Sequence, residues 1–232
     1  MPVDEDQMAK WISANTLEVA ATGAVLVAAV TVLLRGGYLA KTVESSSAMD
    51  PVQIAVGTSP SLGNNQATQA IMVFSDFECP FCRVAADGLI PWLRSEYVDR
   101  GQVRLVLKHF PLDQHKNARR LARLSACASM QRDPWDVHKL FYHLPSTSPV
   151  TVESLSNSLQ LDSQKLNDCA TGVGREIVEQ DIEDASKLGV SSTPTFIIGT
   201  IKNDVMEATV RLPGVAAQAV FAKALRQLPR SR

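Results

Sequence analysis

FSDFECPFCRV, residues 74–84, sets two cysteines either side of a Pro-Phe dipeptide, where an apolar run ends and a helical pattern begins. Upstream, AIMVFS (Ala70–Ser75) is continuously apolar, the mark of a strand buried on both faces. Downstream, RVAADGLIPWLRSEYV (83–98) has apolar residues at near-helical spacing, with Pro91 expected to kink or break the helix. A thiol attacks only as thiolate, and free cysteine is mostly protonated at neutral pH. At the mouth of a helix, Cys79 would meet unpaired backbone N–H groups and the positive end of the helix dipole. Pro80 suits the first helical position, which needs no N–H, and Phe81 completes the active-site dipeptide. Cys82, one turn further in, can close onto Cys79 and resolve a mixed disulfide. The spacing therefore predicts Cys79 as the attacking thiol and Cys82 as the resolving one.

A zinc site is the first rival. Tetrahedral sites draw on two close pairs of ligands, whereas Cys127 and Cys169 stand singly on predicted helices. His109, His115, His138 and His143 show no knuckle spacing with the CPFC segment, and His138 and His143 read as ordinary residues of one amphipathic helix. No metal is expected. A purely structural bridge across two residues is disfavoured too, because short loops gain least from closure.

Beyond the CPFC helix, QVRLVLKHF (Gln102–Phe110) reads as the next strand. A block of helices follows over about 113–188, with Asp133-Pro134 as a cap and first helical residue, and further starts at Thr151 with Ser154 and at Asp162 with Lys165. Neither of the latter has the Glu or Gln of a full capping box. Strand character returns at Thr193–Thr200 and Asp204–Leu212, and a last helix covers about Val215 to Leu228. Thr193-Pro194 stands just ahead of an apolar strand. A cis bond there would set backbone beside the CPFC pair, free to take an extended substrate, although an ordinary turn proline would look the same.

The N-terminal region has a separate character. Leu17 to Leu39 is a stretch of 23 residues with Glu18 and Arg35 near its ends. As a helix it would be roughly 34 Å long, enough to cross a hydrocarbon core of about 30 Å. The preceding MPVDEDQMAK is acidic, unlike the basic start of a signal peptide, so the stretch reads as an uncleaved single-span anchor. The expected organisation is a tail over 1–16, a transmembrane anchor over 17–39, a linker over 40–66 with a short strand near Val52–Val56, and a catalytic domain over 67–232. Flanking charges (Lys10 before the span, Arg35 and Lys41 after it) lean weakly towards a cytoplasmic C-terminal side. A net charge of −1 and 45% apolar residues give no sign of a nucleic-acid partner.

Taken together, CPFC after an apolar strand, KHFPL with His115 following, LSACA, WDVHKLF, LNDCATG and LGVSSTPTFIIG resemble the DsbA-like thioredoxin-fold thiol:disulfide oxidoreductases from about residue 65 onward. The resemblance implies an α/β thioredoxin-like fold with an inserted helical subdomain, here preceded by the single N-terminal transmembrane helix. It implies a cis Pro194 facing the catalytic pair, with Thr193 and Pro194 guiding the substrate backbone. It also implies exchange with extracytoplasmic protein thiols and disulfides, no organic cofactor, and a membrane or periplasmic redox partner that recharges the pair. A thiol reductase or isomerase of the same fold, or a non-catalytic binding or chaperone module, are the alternatives. No dimerisation segment stands out, so the expected state is a monomer.

Two departures bear on direction. The CPFC dipeptide carries no histidine, and threonine precedes the proline, as in isomerases and reductases as well as oxidases. Phe81 should stabilise the thiolate less than an imidazole would, which predicts a less oxidising pair. Cys127 and Cys169, 42 positions apart, read either as buried free thiols or as a structural disulfide. Some DsbA-like relatives resemble this chain in having a second pair. Two disulfide-capable pairs suit an oxidising compartment, and with the resemblance this outweighs the flanking charges: the catalytic domain is expected in the periplasm, tethered to the cytoplasmic membrane. Asp76 and Glu78, beside Cys79, are expected to face solvent.

Overall fold

The computed structural model describes residues 47–144 and 150–229. The anchor expected over Leu17–Leu39 lies outside them. No helix among the described residues is long and apolar enough to cross a membrane.

Six strands form one mixed sheet: β1 (Ser47–Ala55), β2 (Ser61–Leu62), β3 (Gln69–Ser75), β4 (Val103–His109), β5 (Thr195–Lys202) and β6 (Val205–Pro213), in the order β1-β6-β5-β3-β4-β2. The segment expected as a linker over 40–66 thus contributes β1 and β2. β1 pairs antiparallel along β6 from Ser47 to Ala55, with a break in register between Ala48 and Val52. Only the Val52–Ala55 part carries the alternation a sequence reader can see; the rest is an edge strand whose polar residues look like linker.

At the centre, β3 runs parallel to β4 and antiparallel to β5. Both faces of β3 are covered, which is why it reads as an unbroken apolar run. Side chains alternate across a strand, so Ile71 and Val73 pack with Leu105, Leu107, Phe196 and Ile198 on one face. Ala70, Met72 and Phe74 pack with Val106, Ile197 and Met206 on the other.

The first face is covered by a helical run, α1, and by α7 (Gln218–Gln227), whose Phe221 meets Phe196 edge-on with ring centroids 5.0 Å apart. α1 comprises Pro80–Val84, Ala85–Leu89, Ile90–Leu93 and Arg94–Val98, the second and fourth segments having π-helical bonding. Pro91 therefore does not break the helix. Proline lacks the N–H for an ordinary turn, and the widened turns on either side take up the mismatch while Ile90 and Leu93 stay in the core.

Between β4 and β5 lie α2 (Ala118–Ala128), α3 (Pro134–Tyr142), α4 (Val152–Leu159), α5 (Ser163–Thr171) and α6 (Val173–Lys187). Asp133 caps α3 by accepting from the N–H groups of Trp135 and Asp136. α4 does open with a reciprocal capping box: Thr151 accepts from the Ser154 N–H while the Ser154 hydroxyl accepts from the Thr151 N–H, each at 3.0 Å. A serine hydroxyl fills the place usually given to Glu or Gln.

Leu121, Leu124, Val137, Phe141, Leu155 and Leu166 give this helical block its own core. α6 is shared, since Ala185 packs with Leu188 and Val190 against the second face of the sheet. A disulfide joins Cys127 of α2 to Cys169 of α5. It lies so close to α6 that a Cβ on Gly174 would come within 2.5 Å of the Cys127 sulfur. Glycine there lets the bridge rest on helix backbone.

Candidate active site

The sheet topology brings the site together. Because β3 is antiparallel to β5 with Phe74 opposite Thr195, the exit of β3 lies beside the entrance of β5. The chain leaving β3 passes through Asp76–Glu78 and starts α1, with Cys79 as N-cap in extended conformation and Pro80 at the first helical position. Facing it, the Thr193–Pro194 peptide is cis. The Cys79 thiol hydrogen-bonds to the Thr193 carbonyl oxygen at 3.3 Å. The structure thus places Cys79 and Cys82 beside the Thr193–Pro194 peptide.

Both active-site cysteines are free thiols. Their environments differ. Cys79 is brought down to about 5, first by the hydrogen bond from the Cys82 thiol and then by the Thr193 side chain and the backbone N–H groups of Cys82 and Phe81, against a desolvation penalty. Cys82 moves the opposite way: burial, at 1% exposure, and the neighbouring Cys79 push its thiol far up. One thiol is poised as a thiolate at neutral pH; the other stays protonated and donates to it.

Phe81 is 65% exposed and Val84 56%, so an apolar surface flanks the reactive sulfur. Arg83 points instead towards Asp87, with a separation of 3.9 Å.

The acids before Cys79 depart from expectation. Asp76 is buried, and its carboxylate organises the loop. Oδ1 accepts from the Glu78 N–H at 2.8 Å, and Oδ2 takes the Leu112 N–H at 2.8 Å and pairs with His115 Nδ1 at 2.7 Å. The alternation of FSDFE stops at the end of β3, and the turn that follows rotates Asp76 inward. Glu78 accepts from the Asn117 N–H at 2.7 Å and from the Asn117 side chain at 3.0 Å. Asp76, aided by Glu78 and Cys79, raises the pKa of His115. An imidazole thus does reach this neighbourhood, from the loop after β4.

Beneath the pair lies an aromatic layer that sequence spacing does not reveal. Phe77 stacks obliquely on Phe141 and Tyr142, with centroids 5.1 and 5.0 Å apart, and lies near His109 and His138 at 5.8 and 5.7 Å. Burial lowers His109 to about 4 and His138 to about 3, so both are neutral. Tyr142, buried with Cys79, Cys82 and Ala86, shares a 2.5 Å hydrogen bond with the Ser75 hydroxyl. The i, i+4 relation of His138 and Tyr142 signals only that they share a helix face; the fold determines what that face meets.

Across the sheet, Lys108 of β4 is buried between Asp184 and Asp181 of α6, at 2.8 and 3.1 Å. Asp181 also accepts the His109 N–H at 2.8 Å, and burial raises its pKa to about 6. With Lys108 already seated between these carboxylates, no group of three His, Cys, Asp or Glu side chains among the described residues is placed to hold a metal ion.

The chain that carries this site is similar to known proteins in sequence and in fold. Residues 55–209 match the thioredoxin family, and the chain belongs to it. Within that family it is DsbA-like. Disulfide bond formation protein D of Bacillus subtilis is 28% identical over 166 residues, 65% of this chain and 73% of that one. The Na(+)/H(+) antiporter NhaA 3 of Salinispora tropica is 32% identical over 141 residues, 59% of this chain. The match spans only about a fifth of that antiporter's length (21%), so the chain resembles one part of a larger protein. Among solved structures, DsbA2 of Pseudomonas aeruginosa is similar with a TM-score of 0.58 and 26% identity, over 76% of this chain and 94% of that one. Oxidised BdbD of Bacillus subtilis shares the fold with a TM-score of 0.61 at 22% identity, over 78% and 98% of the two chains.

Proposed function

We propose that this chain is a membrane-tethered thiol:disulfide oxidoreductase that exchanges disulfides with exported proteins outside the cytoplasmic membrane. The observation that carries the reading is the contrast within one pair: a Cys79 thiol brought down to about 5 beside a buried, protonated Cys82. Cys79 attacks a substrate disulfide, or is attacked by a substrate thiolate when oxidised, and Cys82 resolves or leaves. The cis Thr193-Pro194 backbone guides an extended substrate strand, and exposed Phe81 and Val84 give its apolar side chains a surface to rest on. The electrons pass between sulfurs, so no organic cofactor is required.

The Cys127–Cys169 disulfide supports an oxidising compartment. The apolar character of Leu17–Leu39, uncharged from Val19 to Leu34, supports a single-pass anchor ahead of the catalytic domain, with residues 1–16 as a short tail. A membrane or periplasmic redox partner then recharges the pair, and the domain works as a monomer.

The test is the reduction potential of Cys79–Cys82, by equilibration with glutathione and trapping. The expected value lies between those of a strong disulfide donor at about −120 mV and a reductase at about −270 mV. A thiol pair with no defined potential, or turnover of a model dithiol that persists in Cys79→Ser, would overturn the reading and favour a binding module on the same fold.

A further inference from the structure

The resolving cysteine poses a chemical difficulty. When a substrate thiolate opens the oxidised pair, it attacks Cys79 Sγ; the Cys79–Cys82 bond breaks, and Cys82 Sγ departs with the electron pair. That sulfur is almost wholly buried. A poor leaving thiolate slows exchange, and an anion in an apolar pocket is costly unless donors meet it. The charged groups nearby are otherwise engaged: Lys108 with Asp181 and Asp184, Arg83 with Asp87, and Asp76 with His115.

What packs against Cys82 is Tyr142, in one small buried cluster, and the Ser75 hydroxyl and Asp76 backbone N–H act on the Cys82 thiol in the sense opposite to burial, lowering it. Ser75 in turn shares its 2.5 Å hydrogen bond with Tyr142. The Tyr142 ring is fixed by Phe77 and by an edge contact with His138, centroids 4.9 Å apart. Buried as it is, Tyr142 keeps its proton, so its hydroxyl remains a donor.

We propose that Tyr142 and Ser75 form a hydroxyl chain that donates to Cys82 Sγ as it becomes a thiolate, with Ser75 a catalytic residue and Tyr142 its positioning partner. The proposal rests on the exchange reaction set out above. As the disulfide opens, Tyr142 O–H donates to Ser75 Oγ and Ser75 O–H donates to the departing sulfur. Cys82 then takes up one of the two protons released by the substrate thiols. The second substrate thiolate attacks the first substrate sulfur in the mixed disulfide, forming the substrate disulfide as the bond to Cys79 breaks and Cys79 leaves as thiolate. Two substrate thiols become one disulfide, the protein disulfide becomes a thiol and a thiolate, and the remaining proton goes to water. In the reverse direction the same chain meets Cys82 as it loses its proton to attack. The helical insertion thereby contributes to the chemistry, since Tyr142 lies on α3.

The chain acts on a thiolate that is absent from both the oxidised and the fully exchanged protein, and this gives the test a distinctive form. Oxidised protein is mixed with dithiothreitol, reduced protein with oxidised dithiothreitol, and each course is followed by acid trapping. Tyr142→Phe keeps the ring contacts, and Ser75→Ala removes the direct donor. Losing one hydrogen bond to a buried anion should slow Ser75→Ala about tenfold, and Tyr142→Phe somewhat less, equally in both directions. The reduction potential and the pH profile of Cys79 alkylation should stay at their wild-type values, which a merely structural defect would not allow. Ser75→Thr, which restores a hydroxyl, should recover most of the rate. Unchanged rates in Tyr142→Phe and Ser75→Ala, or slowing in one direction with a shifted potential, would overturn the proposal. Failure of the wild-type protein itself to react with dithiothreitol would instead overturn the exchange activity on which it rests.

Discussion

Replacing Cys82 with alanine isolates the strongest influence on the attacking thiol. The hydrogen bond from Cys82 is the largest of those that bring Cys79 to about 5; Thr193 and the N–H groups of Cys82 and Phe81 follow. Cys82→Ala deletes the thiol donor and leaves both N–H groups in place. A hydrogen bond to a charged group is worth about 1.5–3 kcal/mol net, and one pH unit corresponds to about 1.4 kcal/mol. The Cys79 midpoint should therefore rise by about one to two units. Iodoacetamide alkylation as a function of pH, read by mass, measures it directly. At pH near 6 the wild-type thiol is roughly nine-tenths ionised, so the variant should react about two- to tenfold more slowly, with the rates converging at alkaline pH. A midpoint unmoved by the substitution would refute the reasoning and assign the thiolate to the helix N-terminus alone.

Three further outcomes follow from the structure. Lys108→Met would leave Asp181 buried without its cation and Asp184 with only the more exposed Lys187 at 3.6 Å, a loss expected to cost about 3–5 kcal/mol in urea unfolding. Reducing or deleting the Cys127–Cys169 bridge, which closes a separation of 42 residues, should cost on the order of 4 kcal/mol in the same assay. The stability gap between reduced and oxidised protein should depend on pH with a defined sign. Cys79 has a folded value of about 5 against an ordinary 9.0, so its ionisation stabilises the reduced fold near neutral pH, and the contribution is lost as pH falls through about 5. Melting both forms from pH 8 to 4 should show the reduced form losing ground relative to the oxidised one; a constant gap would contradict the depressed thiol.

How legible all this was in the sequence varies with the kind of information each residue carries. The central strands announce themselves because burial on both faces leaves only apolar residues, as in Ile71 to Phe74 and Leu105 to Leu107. The CPFC pair and Thr193-Pro194 are legible because each marks a local backbone feature: a helix start and a strand entrance. Asp76 was misjudged because a two-residue alternation holds only within a strand, and Asp76 lies one residue beyond the end of β3. Ser75 and Tyr142 are 67 positions apart and are joined only when α3 folds over the exit of β3. A serine closing a strand and a tyrosine closing an amphipathic helix carry no local mark of that meeting. The first half of β1 carries no legible pattern for the opposite reason, since an edge strand needs no apolar pattern to pair.

The charges around the site are partitioned so that the reactive thiolate depends mainly on dipoles. Lys108, the more deeply buried of the two basic residues on β4, is turned to the face of α6 and held by two carboxylates. His109 and His138, which could have been cations beneath Cys79, are kept neutral by burial. What remains to stabilise Cys79 is the Cys82 thiol, two N–H groups and Thr193, all of them fixed by the backbone of α1 and the cis-proline loop. Hydrogen bonds at this range are little affected by salt, whereas an ion pair at the rim would be screened within about 8–10 Å. This also accounts for the apolar dipeptide: with the donors supplied by the helix start, Phe81 is free to serve as exposed surface. The resulting value of about 5 lies above the roughly 3.5 of the strongest DsbA oxidants. A thiolate held by a neighbouring thiol loses that donor when Cys82 itself ionises or bonds. The stability of the reduced state is thus coupled to Cys82 as well as to Cys79, whereas Ser75 and Tyr142, which meet the buried sulfur as it becomes a thiolate, bear on how fast the pair exchanges and not on its direction.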